Sequence, residues 1–229
     1  MRPYFIFNNI KSTDYLLLNK LPSILKATKD IQKVEIEGRD GFLTQNLGSY
    51  RGDTKTIECT IRNLDDIDYI CKWLDGSGEL IFSNEPDKFY KATIITQIDF
   101  NKIIREYRKF IVKFECQPFG YSIYSTSLYP QIITKPTTIY NNFTYYSEPV
   151  IKIYGEGNIT LNVGSQIVEL TNVSQHVTIN TPLMDCYKDT LLKNNDMNGG
   201  FPILKVGNNN ISWTGNVIKI DIIQNFRSL

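Results

Sequence analysis

Residues 150–170 read Val150-Ile-Lys-Ile-Tyr-Gly-Glu-Gly-Asn-Ile-Thr-Leu-Asn-Val-Gly-Ser-Gln-Ile-Val-Glu-Leu170. Three runs, Val150–Tyr154, Asn158–Val163 and Gln166–Leu170, are rich in strand-favouring side chains, and turn residues such as Gly155-Glu156-Gly157 separate them. The rhythm continues through Val177–Asn180, Ile203–Val206, Asn210–Trp213 and Val217–Ile222, with turns at Asn198-Gly199-Gly200 and Gly207-Asn208-Asn209. Seven short strands in about 75 residues predict a β-sandwich for this half.

Upstream of it, residues 117–147 change character. Three prolines (Pro118, Pro130, Pro136), many Ser, Thr and Tyr and little charge read as a linker or arm. The expected domains are therefore 1–135 and 136–229. They carry 19 basic against 17 acidic side chains and 6 against 7, so neither is a polyelectrolyte.

The first half also reads as mostly strand. Tyr4–Phe7 ends in a turn at Asn8-Asn9, and Asp14–Leu18 runs up to a break at Pro22. Gln32–Glu37 puts Val34 and Ile36 on one face and charges on the other, before a turn at Gly38-Arg39-Asp40-Gly41. Lys55–Arg62 aligns Ile57, Cys59 and Ile61. One helix is marked: Asn63 or Asp65 as cap, an apolar stripe of Ile67, Ile70, Cys71 and Leu74, and a stop at Gly76 or Gly78. A strand Glu79–Phe82 and a turn at 84–87 follow. Phe89–Phe100 and Tyr107–Cys116 then form two long extended stretches, with a charged junction over Asn101–Glu106 that reads as a hairpin tip.

Composition narrows the function. With 25 Lys and Arg against 24 Asp and Glu the net charge is +1, which argues against a broad basic nucleic-acid face. No apolar run is long enough to span a bilayer, and Phe5-Ile6-Phe7 is too short for a signal-peptide core. These features predict a product made and kept in a cytoplasm. The chain holds 31 Ile and 21 Asn but only 2 Ala, a bias that fits an A/T-rich genome and strands over helices.

Chemistry is sparse. Cys59, Cys71, Cys116 and Cys186 form no Cys-x-x-Cys pair and the sole histidine is His176, so standard zinc spacings are absent and buried reduced thiols are expected. His176 opens a strand with no obvious nucleophile or orienting carboxylate nearby in sequence. The carboxylate pairs Glu35/Glu37, Asp66/Asp68 and Glu85/Asp87 are explained as strand surface, helix dipole and turn. Arg51-Gly52-Asp53 reads as a polar turn, and the four Asn-x-Ser/Thr triplets carry no meaning without a secretory route. Gly155-Glu156-Gly157 lacks the rest of a dinucleotide loop and reads as a hairpin turn. Neither catalytic, cofactor-binding nor metal-binding residues are expected. Tyr140, Phe143, Tyr145, Tyr146, Tyr154, Trp213 and Phe226 leave one alternative open, a carbohydrate-binding module recognising host surface glycans, with Trp213 or Tyr146 as exposed platforms.

The order of motifs resembles the distal tail (Dit) proteins of long-tailed phages that infect Gram-positive bacteria. The similar stretches are Phe5–Ser12 with Asp14-Tyr15, Gly38–Gly41, Trp73–Leu80, Pro86–Ala92, Phe110–Pro118, Ser147–Gly155, and Gly200-Phe201-Pro202 with Gly207-Asn208-Asn209. Leu16 or Leu17 stands where members of that family often carry Gly, and residues 140–229 leave no room for an inserted carbohydrate-binding module. The resemblance implies a mainly β, non-enzymatic protein. Its N-terminal β-sandwich would carry one α-helix and an extended β-hairpin, and a C-terminal galectin-like, carbohydrate-binding-module-like β-sandwich would follow. It further implies a homo-hexameric ring at the virion tail tip, assembled in the host cytoplasm. One face would meet the tail tube protein and the other the tail-associated hub protein. The C-terminal domain could hold receptor-binding proteins, and DNA would pass through the channel unread. The Phe89–Cys116 hairpin is the expected ring contact, with Lys102, Arg105 and Tyr107 as its interface residues.

Overall fold

A computed structural model describes residues 2–95 and 108–229, which separate into two compact units, 1–120 with Leu229 and 121–228. The boundary falls earlier than the 135/136 expected from sequence. Residues 121–135 join the second unit because Gln131–Ile133 pairs with its longest strand, Ile133 opposite Ile220. The segment read as a linker is thus partly sheet, including Thr137–Asn141. Among the described residues no helix is long and apolar enough to cross a membrane.

The first unit is a curled sheet ordered Ile10–Lys11, Phe5–Phe7, Ser77–Phe82, Lys88–Ile94, Lys109–Ser122, Asp53–Ile61, Leu16–Leu18. Alternation builds it. Ile57, Cys59 and Ile61 point inward from one strand, Val112, Phe114 and Cys116 from its neighbour, and all six are buried. Arg51-Gly52-Asp53 is not a turn: Gly52 is the single residue between the strands Phe42–Arg51 and Asp53–Ile61. A β-carbon there would lie 2.5 Å from the Cys116 carbonyl oxygen, which is why glycine holds the position.

The Asn63 side chain accepts a hydrogen bond from the Asp65 N–H at 3.2 Å and so caps a short 3-10 turn, Leu64–Asp66, that leads into the helix Ile67–Trp73; the helix's own N-cap residue, Asp66, makes no side-chain cap. The buried face of the helix is Ile70, Trp73 and Leu74, while Cys71 is half-buried. Trp73 stacks on Phe5 at 5.7 Å and donates from Nε1 to the Phe7 carbonyl at 2.9 Å, so it ties the helix to the first strand.

In the second unit the expected pairs of short strands merge. Val150–Val163 and Gly207–Ile223 are each continuous and pair along most of their length. The early half of Val150–Val163 also pairs with His176–Asn180, the late half with Gln166–Val173. Side chains from both halves, Ile151 and Ile153 with Leu161 and Val163, meet in one buried cluster, so the sheet folds over on itself into a sandwich. Gly155-Glu156-Gly157, read as a hairpin turn, lies inside the strand where the register shifts. A β-carbon on Gly155 would sit 2.2 Å from the Asn216 carbonyl oxygen, and one on Gly215, at φ +101°, 2.4 Å from that of Asn158. The two strands bend together where each lacks a side chain. Ile203–Val206 forms no strand; Leu204 makes one isolated bridge to Ser147.

Gly215→Ala meets both strain and a clash and is expected to lower second-unit stability by on the order of 2 kcal/mol or more. Gly157→Ala, at φ +80° with nothing within 4 Å, is expected to cost only about 1 kcal/mol. Urea unfolding of the two variants checks the order.

Candidate assembly surface

Among the described residues, the strands Thr28–Glu35 and Phe42–Arg51 pair only with each other and form a separate two-stranded sheet. Gly38 and Gly41, both at positive φ, make the turn between them, as the sequence indicated. Registered pairs Glu35–Phe42, Val34–Leu43, Lys33–Thr44 and Ile31–Asn46 fix the faces. Val34, Leu43 and, by alternation, Ile36 lie on one side; Ile31 and Phe42 lie on the other. These side chains are 38% (Val34) to 50% (Phe42) exposed, far above anything in the core.

Local contacts give the hairpin shape without covering it. Arg51 pairs with Asp30 at 2.7 Å, Asn46 Oδ1 accepts from the Gly48 N–H at 3.0 Å, and Lys33 Nζ lies 4.4 Å from the Phe42 ring centre. An isolated two-stranded hairpin is marginal in water, and among the described residues no further strand pairs with either of its edges. Such an element is built to lie against something else.

Sequence reasoning took Val34 and Ile36 for an ordinary half-buried strand and missed Phe42–Arg51, whose Gln45, Asn46, Gly48 and Ser49 suppress the strand signal. The usable clue was apolar residues on both faces. Lys102, Arg105 and Tyr107 lie outside the described residues, as does the junction Asn101–Glu106. The strands leading towards them, Lys88–Ile94 and Lys109–Ser122, are present.

The residues examined for chemistry are occupied structurally. Burial pushes the Cys59 and Cys116 thiols up to about 12 and that of Cys186 up to about 11, and also raises that of Cys71, with the Asp68 charge adding to it. Glu85 is buried, accepts from the Tyr90 hydroxyl at 2.7 Å and holds Lys88 at 3.4 Å, so it fixes the turn before Lys88–Ile94. Buried Lys55 keeps its ammonium 3.6 Å from Asp53 and 4.8 Å from the Tyr90 ring centre. His176 does have a carboxylate, Asp189 at 3.1 Å, which the sequence did not reveal. Among the described residues no three His, Cys, Asp or Glu side chains are grouped to hold a metal. Of the aromatics singled out in the second half, Tyr140 alone is largely exposed. Trp213 packs on the core, and Tyr146 lies against Tyr145 and beneath the Arg227 guanidinium.

Comparison with known proteins agrees with this picture. Residues 10–116 match the model of the phage tail protein RIFT-related domain. The chain is similar in fold to the Dit (gp 19.1) protein of SPP1, whose structure is described as a paradigm of the hub adsorption apparatus in phages infecting Gram-positive bacteria. That similarity has a TM-score of 0.72 at 16% identity and covers 97% of this chain and 98% of the other. No curated protein sequence matches. The matches bear out the resemblance to distal tail proteins and the mainly β, sandwich architecture.

The thiol environments give a direct check. In the native chain a disulfide reagent at pH 8 should modify Cys71 quickly and the three buried thiols at least about 100-fold more slowly, with all four reacting in denaturant.

Proposed function

We propose that this chain, a bacteriophage tail protein of the Dit type, closes a homo-hexameric ring at the distal end of the tail tube and has no catalytic role. The observation that carries this reading is the 28–51 hairpin, with apolar side chains exposed on both faces and, among the described residues, no further strand paired to it. A closed ring needs each copy to offer two different complementary patches. The hairpin is one, laid on the next copy so that Ile31, Val34, Phe42 and Leu43 leave water. The segment joining Lys88–Ile94 to Lys109–Ser122, with Lys102, Arg105 and Tyr107, is the second contact.

In this arrangement the first unit surrounds a channel, one ring face meets the tail tube protein, and the other meets the tail-associated hub protein. The second unit faces outward and holds receptor-binding proteins or other baseplate parts. A net charge of +1 suits DNA that passes without being held. Assembly takes place in the cytoplasm of the infected host.

Sedimentation velocity tests the contacts. Val34→Lys with Leu43→Lys puts two charges on one hairpin face that is exposed in the single chain. It should abolish the six-copy species and leave the melting temperature of the monomer within a few degrees of the parent, as surface changes do. Lys102→Glu with Arg105→Glu should also weaken assembly. Normal ring formation by both double variants would refute the proposed contacts.

A further inference from the structure

The second unit carries a polar sheet face away from its core. Registered neighbours place Tyr187, Thr178, Lys152 and Asp221 in one row across four strands, since Tyr187 pairs with Thr178, Thr178 with Lys152 and Lys152 with Asp221. His176, Tyr154 and Lys219 form the adjacent row. The alternate residues Ile151, Ile153, Val177, Ile179, Cys186 and Ile220 fill the core, so both rows point away from it. Lys152, His176, Thr178, Tyr187, Asp189 and Asp221 line a hollow of about 350 Å³, inside the range of small-molecule sites.

Its charges balance. Lys219 Nζ bonds both Asp221 oxygens at 3.1 and 3.2 Å, His176 Nε2 meets Asp189 at 3.1 Å, and Lys152, whose Nζ lies 5.2 Å from the Tyr154 ring centre, makes two lysines against the two carboxylates. The hollow therefore favours neither an anion nor a cation, yet it sets donors and acceptors side by side. The Tyr154 ring is covered by Lys219 Nζ at 4.2 Å. Tyr187 is half-buried, and among the described residues its ring meets no other ring or cation. A free aromatic face beside mixed hydrogen-bonding groups, all but Asp189 fixed on strands, complements a molecule with one apolar C–H face and a rim of hydroxyls.

We propose that this face binds a neutral hexopyranoside, with Tyr187 as the stacking platform and Lys152, Thr178, His176 and Asp221 addressing its hydroxyls. The site is distinct from Trp213 and Tyr146, and it stands or falls independently of the ring.

Saturation-transfer NMR on the full chain tests it, with the methyl glycosides of glucose, galactose and N-acetylglucosamine as probes and glycerol phosphate as the charged comparison. Transfer to the ring C–H protons of at least one glycoside is expected. It should fall at least about tenfold in Tyr187→Ala and in Lys152→Ala, and persist in Tyr187→Trp. If Tyr187→Ala fails to fold by circular dichroism, Lys152→Ala and Tyr187→Trp decide. No transfer to any glycoside, transfer only to glycerol phosphate, or transfer unchanged in the folded alanine variants would overturn the proposal.

Discussion

A two-stranded hairpin has two faces and two edges, and residues 28–51 pair no further strand with any of them among the described residues. Folding gains little from such an element: ordering its backbone costs conformational entropy, and its apolar side chains stay in water. The balance becomes favourable when a second surface covers it. The body of the first unit, by contrast, closes its own core through the register of Asp53–Ile61 against Lys109–Ser122 and the Trp73 hydrogen bond to Phe7. A finished body with an unfinished arm is the physical basis for reading the chain as an assembly subunit.

The second unit solves a different problem. Two strands of 14 and 17 residues would make a flat, two-sided ribbon if they ran straight. Gly155 and Gly215 lie where carbonyl oxygens of the partner strand come too close for a β-carbon, so the ribbon bends there and its halves cover each other. Both core and polar face follow from that bend. The side chains turned away from the core are left as regular rows, which is how residues far apart in sequence come to line one hollow.

Much of this was legible in the chain, and the failures have physical causes. Ile57, Cys59 and Ile61 were readable because alternation on a half-buried strand is a local signal, and so was the Asn63 cap. Glycine misled at 155–157 because it marks turns and bulges alike, and only the facing strand some sixty residues later distinguishes them. The pairing of His176 with Asp189 depends on the return of Asp185–Lys188 alongside His176–Asn180, which no spacing rule announces. The 42–51 strand was hidden by polar and turn-prone residues that an exposed arm tolerates and a buried strand would not.

The central claim is that the chain completes itself by closing a ring with its own copies. Native mass spectrometry of the purified protein over a range of concentrations tests it most directly. The account predicts a species of six times 26.4 kDa, roughly 158 kDa. A single 26.4 kDa species at every concentration, with the 28–51 amides exchanging as slowly as those of Asp53–Ile61, would contradict it.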